Sequence, residues 1–161
     1  PPPCAAAPYF LEGRQRTKLQ TGKEPLLSND IIYRATATVL DAHTGTAATE
    51  DGALEVLLTG PGTPGTNAEQ LFATGYAACF LTSLQRVATQ RRVTLAAGTL
   101  ATATIGITQP YLGGFPLKAT ILATMPTIDR TMAEQLVAAA YEICPYSTAT
   151  RGNIDVALDV A

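Results

Sequence analysis

Two cysteines are the residues of this chain best suited to chemistry. Cys79 lies within a run of small and apolar residues, and Cys144 stands directly before a proline. A thiol reacts as a nucleophile only in its thiolate form, and most buried cysteines simply pack. Inert packing is therefore the plain interpretation of either cysteine alone. A thiol in one helix and a thiol at the end of another could instead meet as a redox-active pair, provided that strict disulfide geometry is satisfied.

The other candidate groups give weaker indications. His43 is the only histidine and lies in the loop sequence DAHTGT, where a single histidine is usually just solvated. One histidine gives no support to a Ser-His-Asp site, and the cysteine spacing matches no zinc pattern. The glycine-containing segments fit neither a P-loop nor a dinucleotide fingerprint. Cys4 lies in an N-terminal segment and is expected to be incidental.

Cys79 is expected to sit on a long central helix over residues 66–89. Thr66 and Glu69 fit the capping-box pattern at its start, and the preceding GPGTPG sequence predicts a loop. Nearly every side chain over residues 71–81 is apolar or small, which predicts a helix buried around most of its circumference. The helix is expected to end near the Arg91–Arg92 pair.

The remaining elements are predicted from hydrophobic periodicity and turn residues. A second helix should end at Cys144, because the residue before a proline is disfavoured in helical geometry. The predicted order is β-β-α-β-β-α-β, an α+β fold with helices backing the sheets. Strands are predicted at 31–40, 53–59, 100–108, 117–125 and 153–160, a polar turn at 41–52, and the second helix at 129–142.

Composition restricts the class of protein. With 161 residues, 47% hydrophobic and 15% charged, the chain can bury a real core. A net charge of −2 gives no electrostatic case for nucleic acid, and no apolar run is long enough for a membrane span. We expect residues 1–30 to be a basic N-terminal arm, flexible or a targeting remnant, before a single domain at 31–161. Three cysteines favour the cytoplasm over secretion, and the basic arm leaves a mitochondrial location open.

Three segments carry a specific resemblance to a known family. The sequences TNAEQLFATGYAACF at 66–80, GGFPL at 113–117 and CPYSTATRGNIDV at 144–156 resemble the organic hydroperoxide resistance (Ohr) proteins of the OsmC/Ohr family. The resemblance extends over roughly residues 33–160. It implies a thiol-dependent peroxidase that reduces organic hydroperoxides, including those of fatty acids, to alcohols. It also implies an intertwined homodimer with active sites at the subunit interface.

The resemblance assigns roles to individual residues. Cys79 corresponds to the peroxidatic cysteine and Cys144 to the resolving cysteine, with an intramolecular disulfide as the oxidised product. Glu69 corresponds to the active-site carboxylate, and Tyr146 and Phe115 to apolar groups around the substrate channel. No bound cofactor or metal is implied. The implied reductant is dihydrolipoamide or a lipoylated protein.

One position departs from the family pattern. The family has an arginine in the loop after the first long strand, paired with the glutamate, whereas residues 35–85 contain no arginine and His43 stands at about that place. An unperturbed histidine is only about one quarter protonated at pH 7, so it stabilises a thiolate less well than arginine. Arg14 or Arg16 of the N-terminal arm could act instead. If activation has been lost, the alternative function is a non-catalytic lipid- or small-molecule-binding or redox-sensing protein.

Overall fold

The computed structural model describes residues 31–109 and 114–161. The described part of the first unit, residues 31–35, contains no helix or strand, and Thr36–Ala161 make up the second unit. The predicted arm at 1–30 lies outside the described residues. Among the residues that are described, no helix is long and apolar enough to cross a membrane.

The first sheet contains the short strands β1 (Ala37–Leu40), β2 (Thr46–Thr49) and β3 (Glu55–Leu57), paired antiparallel in that order. The strand predicted at 31–40 was wrong over residues 31–36. The strand begins only at Ala37, which pairs with Thr49. The predicted turn at 41–52 contains β2. The sequence TAAT lacks large apolar residues, but it pairs with a strand on each side.

Gly45 makes the tight turn between β1 and β2 possible. A Cβ atom at this position would lie 1.4 Å from the backbone oxygen of Leu40, so no other residue fits the observed backbone. Asp41 adopts a positive φ of 59°, and its carboxylate accepts hydrogen bonds from the His43 amide and the Thr44 hydroxyl. This arrangement fixes the turn that carries His43.

The central helix α1 spans Ala68–Gln90, close to the predicted range. Its cap is formed by a different pair from the one predicted: Asn67 accepts a hydrogen bond from the Gln70 amide, and the Gln70 side chain accepts one from the Asn67 amide. Thr66 is instead used in a bridge to Leu58, so the capping box begins one residue later than predicted. Glu69 lies in the first turn, where an acidic side chain suits the helix dipole.

The second sheet contains β4 (Leu100–Ile107), β5 (Leu117–Thr124) and β6 (Asp155–Val160). β4 and β5 are antiparallel, whereas β5 and β6 are parallel. A parallel pair needs a crossover, which is supplied here by α2 (Arg130–Ile143) and the short helix α3 (Pro145–Thr150). The α3 helix was not predicted from the sequence, because a helix of one and a half turns is too short to show periodicity. The α+β class is confirmed, with β2 and α3 added to the predicted order.

The core forms where α1, α2 and the second sheet meet. Tyr76, Phe80 and Leu84 of α1 are completely buried against Ile121 of β5 and Leu136 of α2. By contrast, every residue of β1 is exposed, including Val39 and Leu40. The core therefore holds α1 and the end of α2 in fixed positions, and these are the two elements that carry the cysteines.

Candidate active site

The Cys79 and Cys144 thiols lie next to each other. Their Sγ atoms are 3.5 Å apart, and both cysteines are free. A disulfide bond is about 2.05 Å long, so the pair is in the reduced state and a small movement of either side chain would bring the sulfurs together. The juxtaposition that the sequence analysis left open is therefore present.

Two local features place the sulfurs. Cys79 projects from the middle of α1, which is anchored by the buried side chains on either side of it along the helix. Cys144 terminates α2 with extended φ and ψ angles of −70° and 121°, and the same residue is the N-cap of α3. Pro145 causes this break, since it disfavours helical geometry in the preceding residue and suits the first position of the next helix. The two sulfurs differ in accessibility: Cys144 is fully buried and Cys79 is partly exposed.

An aromatic cluster of Phe72, Tyr76 and Tyr146 lies beside the thiols. The ring centroids are 5.8 Å apart for Phe72 and Tyr76, 6.2 Å for Phe72 and Tyr146, and 5.9 Å for Tyr76 and Tyr146. Tyr146 packs over Gly75, where an added Cβ would lie 3.2 Å from the tyrosine oxygen. The small residue on α1 therefore lets α3 bring its tyrosine close to the helix.

Buried hydroxyl groups lie behind Cys144. The Tyr76 hydroxyl donates a hydrogen bond to Ser147 Oγ at 3.1 Å and lies 3.4 Å from Thr150 Oγ1. Tyr76 and Ser147 are completely buried, and Thr150 nearly so. Each hydroxyl group in this part of the interior has a hydrogen-bond partner, as burial requires.

The surroundings shift the pKa values of the two thiols in opposite directions. Burial is the largest influence on Cys79 and raises its pKa, although the Tyr146 amide opposes this. Burial also acts to raise the pKa of Cys144, but the nearby amide and hydroxyl of Ser147, the Cys79 thiol and the Tyr146 amide outweigh it, so that the pKa is lowered.

Comparison with known proteins identifies the family. Residues 60–159 match the OsmC-like protein family. The chain is 40% identical over 137 residues to the organic hydroperoxide resistance protein of Xanthomonas axonopodis pv. citri. The aligned region covers 81% of this chain and 96% of that protein. The chain belongs to the OsmC/Ohr family.

Solved OsmC/Ohr structures show the same fold. The organic hydroperoxide resistance protein OhrB of Bacillus subtilis has a TM-score of 0.76 at 36% identity, with 81% of this chain and 100% of that chain covered. An organic hydroperoxide resistance protein from Legionella pneumophila has a TM-score of 0.77 at 36% identity, covering 81% and 98%. The resemblance inferred from the three sequence motifs is confirmed.

The structure brings together only some of the residues that the OsmC/Ohr resemblance singles out. Cys79, Cys144 and Tyr146 lie together. Glu69 and His43 make no hydrogen bond or ion pair to either thiol within the part of the chain that the structure describes. Phe115 is 67% exposed and makes no ring contact with the aromatic cluster. Their predicted roles stay predictions.

Several residues at this OsmC/Ohr site were not singled out from the sequence. Phe72 and Tyr76 precede Cys79 by seven and three positions, a helical spacing that places them on one face. Ser147 follows Cys144 by three positions, a separation that brings side chains together when a helix begins between them. Recognising α3 would therefore have found Ser147. Over residues 31–109 and 114–161, no cluster of His, Cys, Asp and Glu could hold a metal ion.

Proposed function

We propose that this protein is a cysteine-based peroxidase that reduces organic hydroperoxides to alcohols. The observation that carries the proposal is the 3.5 Å approach of one partly exposed thiol and one fully buried thiol beside an aromatic cluster. Family membership supports it, since similar proteins are named for organic hydroperoxide resistance.

Accessibility supports a division of roles between the two thiols. A hydroperoxide entering from solvent meets Cys79, whereas Cys144 has no exposed surface. Cys79 is therefore the peroxidatic residue and Cys144 the resolving residue, even though the pKa of Cys79 is raised by its surroundings and that of Cys144 is lowered. A buried thiol is of little use in the first step but suits the second, in which the electrophile is a neighbouring sulfur.

The reaction proceeds in two steps. The Cys79 thiolate attacks the terminal oxygen of the hydroperoxide; the S–O bond forms, the O–O bond breaks, and the alkoxide leaves with the electron pair and takes up a proton. Cys79 is oxidised to a sulfenic acid while the hydroperoxide is reduced to the alcohol. The Cys144 thiolate then attacks the Cys79 sulfur, forming the disulfide and expelling hydroxide, which is protonated to water. An external dithiol of the dihydrolipoyl type, free or on a lipoylated protein, restores both thiols by exchange.

The aromatic cluster favours substrates with an organic group. Phe72 and Tyr146 are only partly buried, so their faces are available to an apolar chain. Burial of apolar surface contributes about 25 cal/mol per Å², an advantage that hydrogen peroxide cannot gain. An alkyl or aryl hydroperoxide should therefore be preferred.

A homodimer would cover the apolar side chains of the first sheet that one chain leaves exposed. In the first sheet Val39, Leu40 and Leu57 are more than half exposed, and an isolated small sheet is stable only when an apolar face is covered. Phe115 is exposed as well. Covering by a second copy would give these side chains partners and would bring the turn of His43 towards a thiol pair. In this arrangement His43, paired with Glu69, is the cation that promotes thiolate formation at Cys79.

The compartment follows from the thiols. A catalytic dithiol needs a reducing environment, so we infer a cytoplasmic location. The comparisons give no support to the mitochondrial alternative, which depended on the basic residues before residue 31.

Turnover with a dithiol tests the proposal. Reduced protein is supplied with dihydrolipoamide, and consumption of cumene hydroperoxide is compared with consumption of hydrogen peroxide. We expect faster turnover of the organic substrate and its loss in Cys79→Ser. Cys4→Ser is the matched thiol control and should keep full turnover. Equal rates in Cys79→Ser and the parent protein would exclude Cys79 as the nucleophile.

A second candidate function has one observation in its favour. The pKa of Cys79 is raised, and no charged side chain bonds either sulfur among residues 31–109 and 114–161. A thiol pair without an activating cation suits a protein that binds a lipid or small molecule, or senses oxidants through its disulfide. Such a protein would oxidise once per chain but would not turn over with any dithiol.

A further inference from the structure

The C-terminal end of α2 lacks one backbone donor. In a regular helix the Tyr141 oxygen would accept a hydrogen bond from the amide of residue 145, but Pro145 has no N–H group. The Cys144 amide does not replace it, since this amide bonds the Ala140 oxygen at 2.9 Å. The last turn of α2, which lies wholly in the described part of the chain, carries no basic residue to complement the helix dipole. The break at Cys144 therefore leaves the end of α2 to be satisfied by a group from outside the helix.

Arg151 supplies that group. It is the C-cap residue of α3, and its side chain reaches back to α2, where Nη2 donates to the Tyr141 oxygen at 3.2 Å. Nη1 donates to Glu142 Oε2 at 2.9 Å, and the guanidinium carbon lies 5.0 Å from the centroid of the Tyr141 ring. Three contacts of one planar group define its orientation, which a single exposed ion pair would not do.

The contacts of Arg151 close a loop around Cys144. The helix α3 joins α2 through Cys144 at its N-terminal end and through the Arg151 guanidinium at its C-terminal end. A helix of six residues has little stability by itself, so its direction depends on such contacts. On the inner side, the Tyr76 hydroxyl donates a hydrogen bond to Ser147 Oγ at 3.1 Å. The corner between α2 and α3 is thus supported once from the core and once from the surface.

We propose that Arg151 is a positioning residue that holds the α2–α3 corner so that the Cys144 sulfur stays beside Cys79. This rests on the proposed peroxidase function and extends it to the second step. In that step the Cys144 thiolate attacks the Cys79 sulfenic acid, the S–S bond forms, and the S–O bond breaks as hydroxide leaves and takes up a proton. The sulfurs are 3.5 Å apart, and a misplacement of about 1 Å can slow a well-oriented reaction roughly a hundredfold. Fast closure leaves the sulfenic acid little time to meet a second hydroperoxide and become a sulfinic acid.

Arg130 provides a matched comparison on the same helix. It also bonds one carboxylate and one backbone oxygen: Nε lies 2.8 Å from Glu134 Oε1, and Nη1 lies 3.4 Å from the Val160 oxygen. Its side chain is exposed at the surface, as is much of the Arg151 side chain. Arg130 begins α2, at the opposite end from Cys144, so the loss of its contacts should move neither sulfur.

The first test measures disulfide closure without hydroperoxide. In the reduced full chain carrying Cys4→Ser, one thiolate adds to the diazene bond of diamide, and the other sulfur then displaces the hydrazine product as the S–S bond forms. At high diamide concentration the second, intramolecular step limits the rate. Arg151→Gln should slow this step about tenfold, whereas Arg130→Gln should match the Cys4→Ser chain. Urea unfolding should give similar midpoints for both variants, because each loses a partly exposed ion pair.

The second test follows the reaction with cumene hydroperoxide. Arg151→Gln should leave the oxidation of Cys79 unchanged, slow disulfide closure by the factor seen with diamide, and increase the sulfinic acid found by mass spectrometry. Arg151→Lys keeps the charge but lacks the planar fork that bonds both acceptors, so closure should slow in the same direction by a smaller factor. This variant decides the matter if Arg151→Gln does not fold.

The outcomes separate the two proposals. An unchanged rate of closure with diamide in Arg151→Gln, or in Arg151→Lys where that variant stands in, would overturn the role of Arg151. Equal slowing in Arg151→Gln and Arg130→Gln would also overturn it, since a general loss of surface ion pairing would then explain both. If the parent protein does not react with hydroperoxide, the peroxidase proposal fails, while the diamide rates still decide whether Arg151 positions Cys144.

Discussion

The thiol region and the first sheet are built in contrasting ways. Around the thiols, α1 and α2 pack on the second sheet, and Tyr76, Phe80 and Leu84 have no exposed surface. In the first sheet all of β1 is exposed, and the apolar Val39 points its surface to solvent. The contrast indicates that one chain suffices to position the two sulfurs. In the proposed function, positioning and activation therefore belong to separate parts of the molecule.

The largest expected effect is on stability. Leu84→Ala should lower the free energy of unfolding by about 2–5 kcal/mol, because it removes a fully buried side chain from the core. Val39→Ala is the comparison, since this side chain is 54% exposed. Urea unfolding measured at several protein concentrations distinguishes the two regions. A loss at Val39 that grows with protein concentration would show that a partner covers the first sheet.

The stability contrast fails if Leu84→Ala destabilises the protein no more than Val39→Ala at every concentration. In that event the buried helix face would not be the principal source of stability, and the thiol pair would need another support.

Gly45→Ala should distinguish the positioning of the two sulfurs from the activation of the Cys79 thiol. The new Cβ would overlap the Leu40 backbone oxygen, so the β1–β2 turn cannot keep its conformation. We expect peroxidase turnover to fall at least about tenfold, which is modest beside the roughly 10²–10⁴-fold that a positioned acid–base group typically contributes. The chemical oxidant diamide should still close the disulfide between Cys79 and Cys144, because both belong to the core region.

Gly60→Ala provides the control for this variant. An added Cβ at Gly60 meets nothing within 4 Å, and its backbone does not require glycine. Turnover should be unchanged there. If Gly45→Ala leaves turnover intact as well, the first sheet has no part in activation.

His43→Arg should improve activation by a smaller amount. Arginine is always charged, and its planar guanidinium can bond a carboxylate through two N–H groups. The rate of Cys79 oxidation should therefore rise. Stopped-flow kinetics of the variant and of Ala42→Arg, an exposed neighbour, would measure this. An equal gain in both variants would mean that only net charge matters.

The smallest expected effect is acid sensitivity of the first sheet. Hydrogen bonds from the His43 amide and then the Thr44 hydroxyl lower the pKa of Asp41. A carboxylate with a lowered pKa in the folded state contributes stability above its usual pKa of about 3.9, and this contribution is lost as the pH falls through the folded value.

Asp41→Asn removes that titration. Unfolding between about pH 5 and pH 3 should become slightly less dependent on acid in this variant than in the parent protein. Asp51→Asn is the matched comparison, because Asp51 also has a lowered pKa in a neighbouring turn. Identical acid dependence in the parent and Asp41→Asn would show that the Asp41 turn does not contribute.

The sequence was most informative where the hydrophobic periodicity extended over many residues. It gave α1, α2 and the second sheet almost to the residue, because those segments bury one face. It failed at β2, whose small polar sequence is held only by pairing, and at α3, which is too brief for a pattern. The cap of α1 is Asn67 and not Thr66, because the backbone of Thr66 is hydrogen-bonded to Leu57 and Thr59 instead.

The candidate site, like the fold, could be predicted from the sequence only in part. Both cysteines and Tyr146 could be found, since motifs carry them. The hydrogen bond between Tyr76 and Ser147 could not, because it joins residues that are 71 positions apart in the sequence. Contacts between distant segments are set by tertiary packing, and no local pattern encodes them.

The most direct test of the central claim is the product of a single oxidation. Reduced protein is mixed with one equivalent of cumene hydroperoxide, and its cysteines are mapped by mass spectrometry of peptides. We expect one disulfide between Cys79 and Cys144, with formation of one equivalent of the alcohol. Two free thiols at these positions, or a disulfide that joins either of them to Cys4, would contradict it.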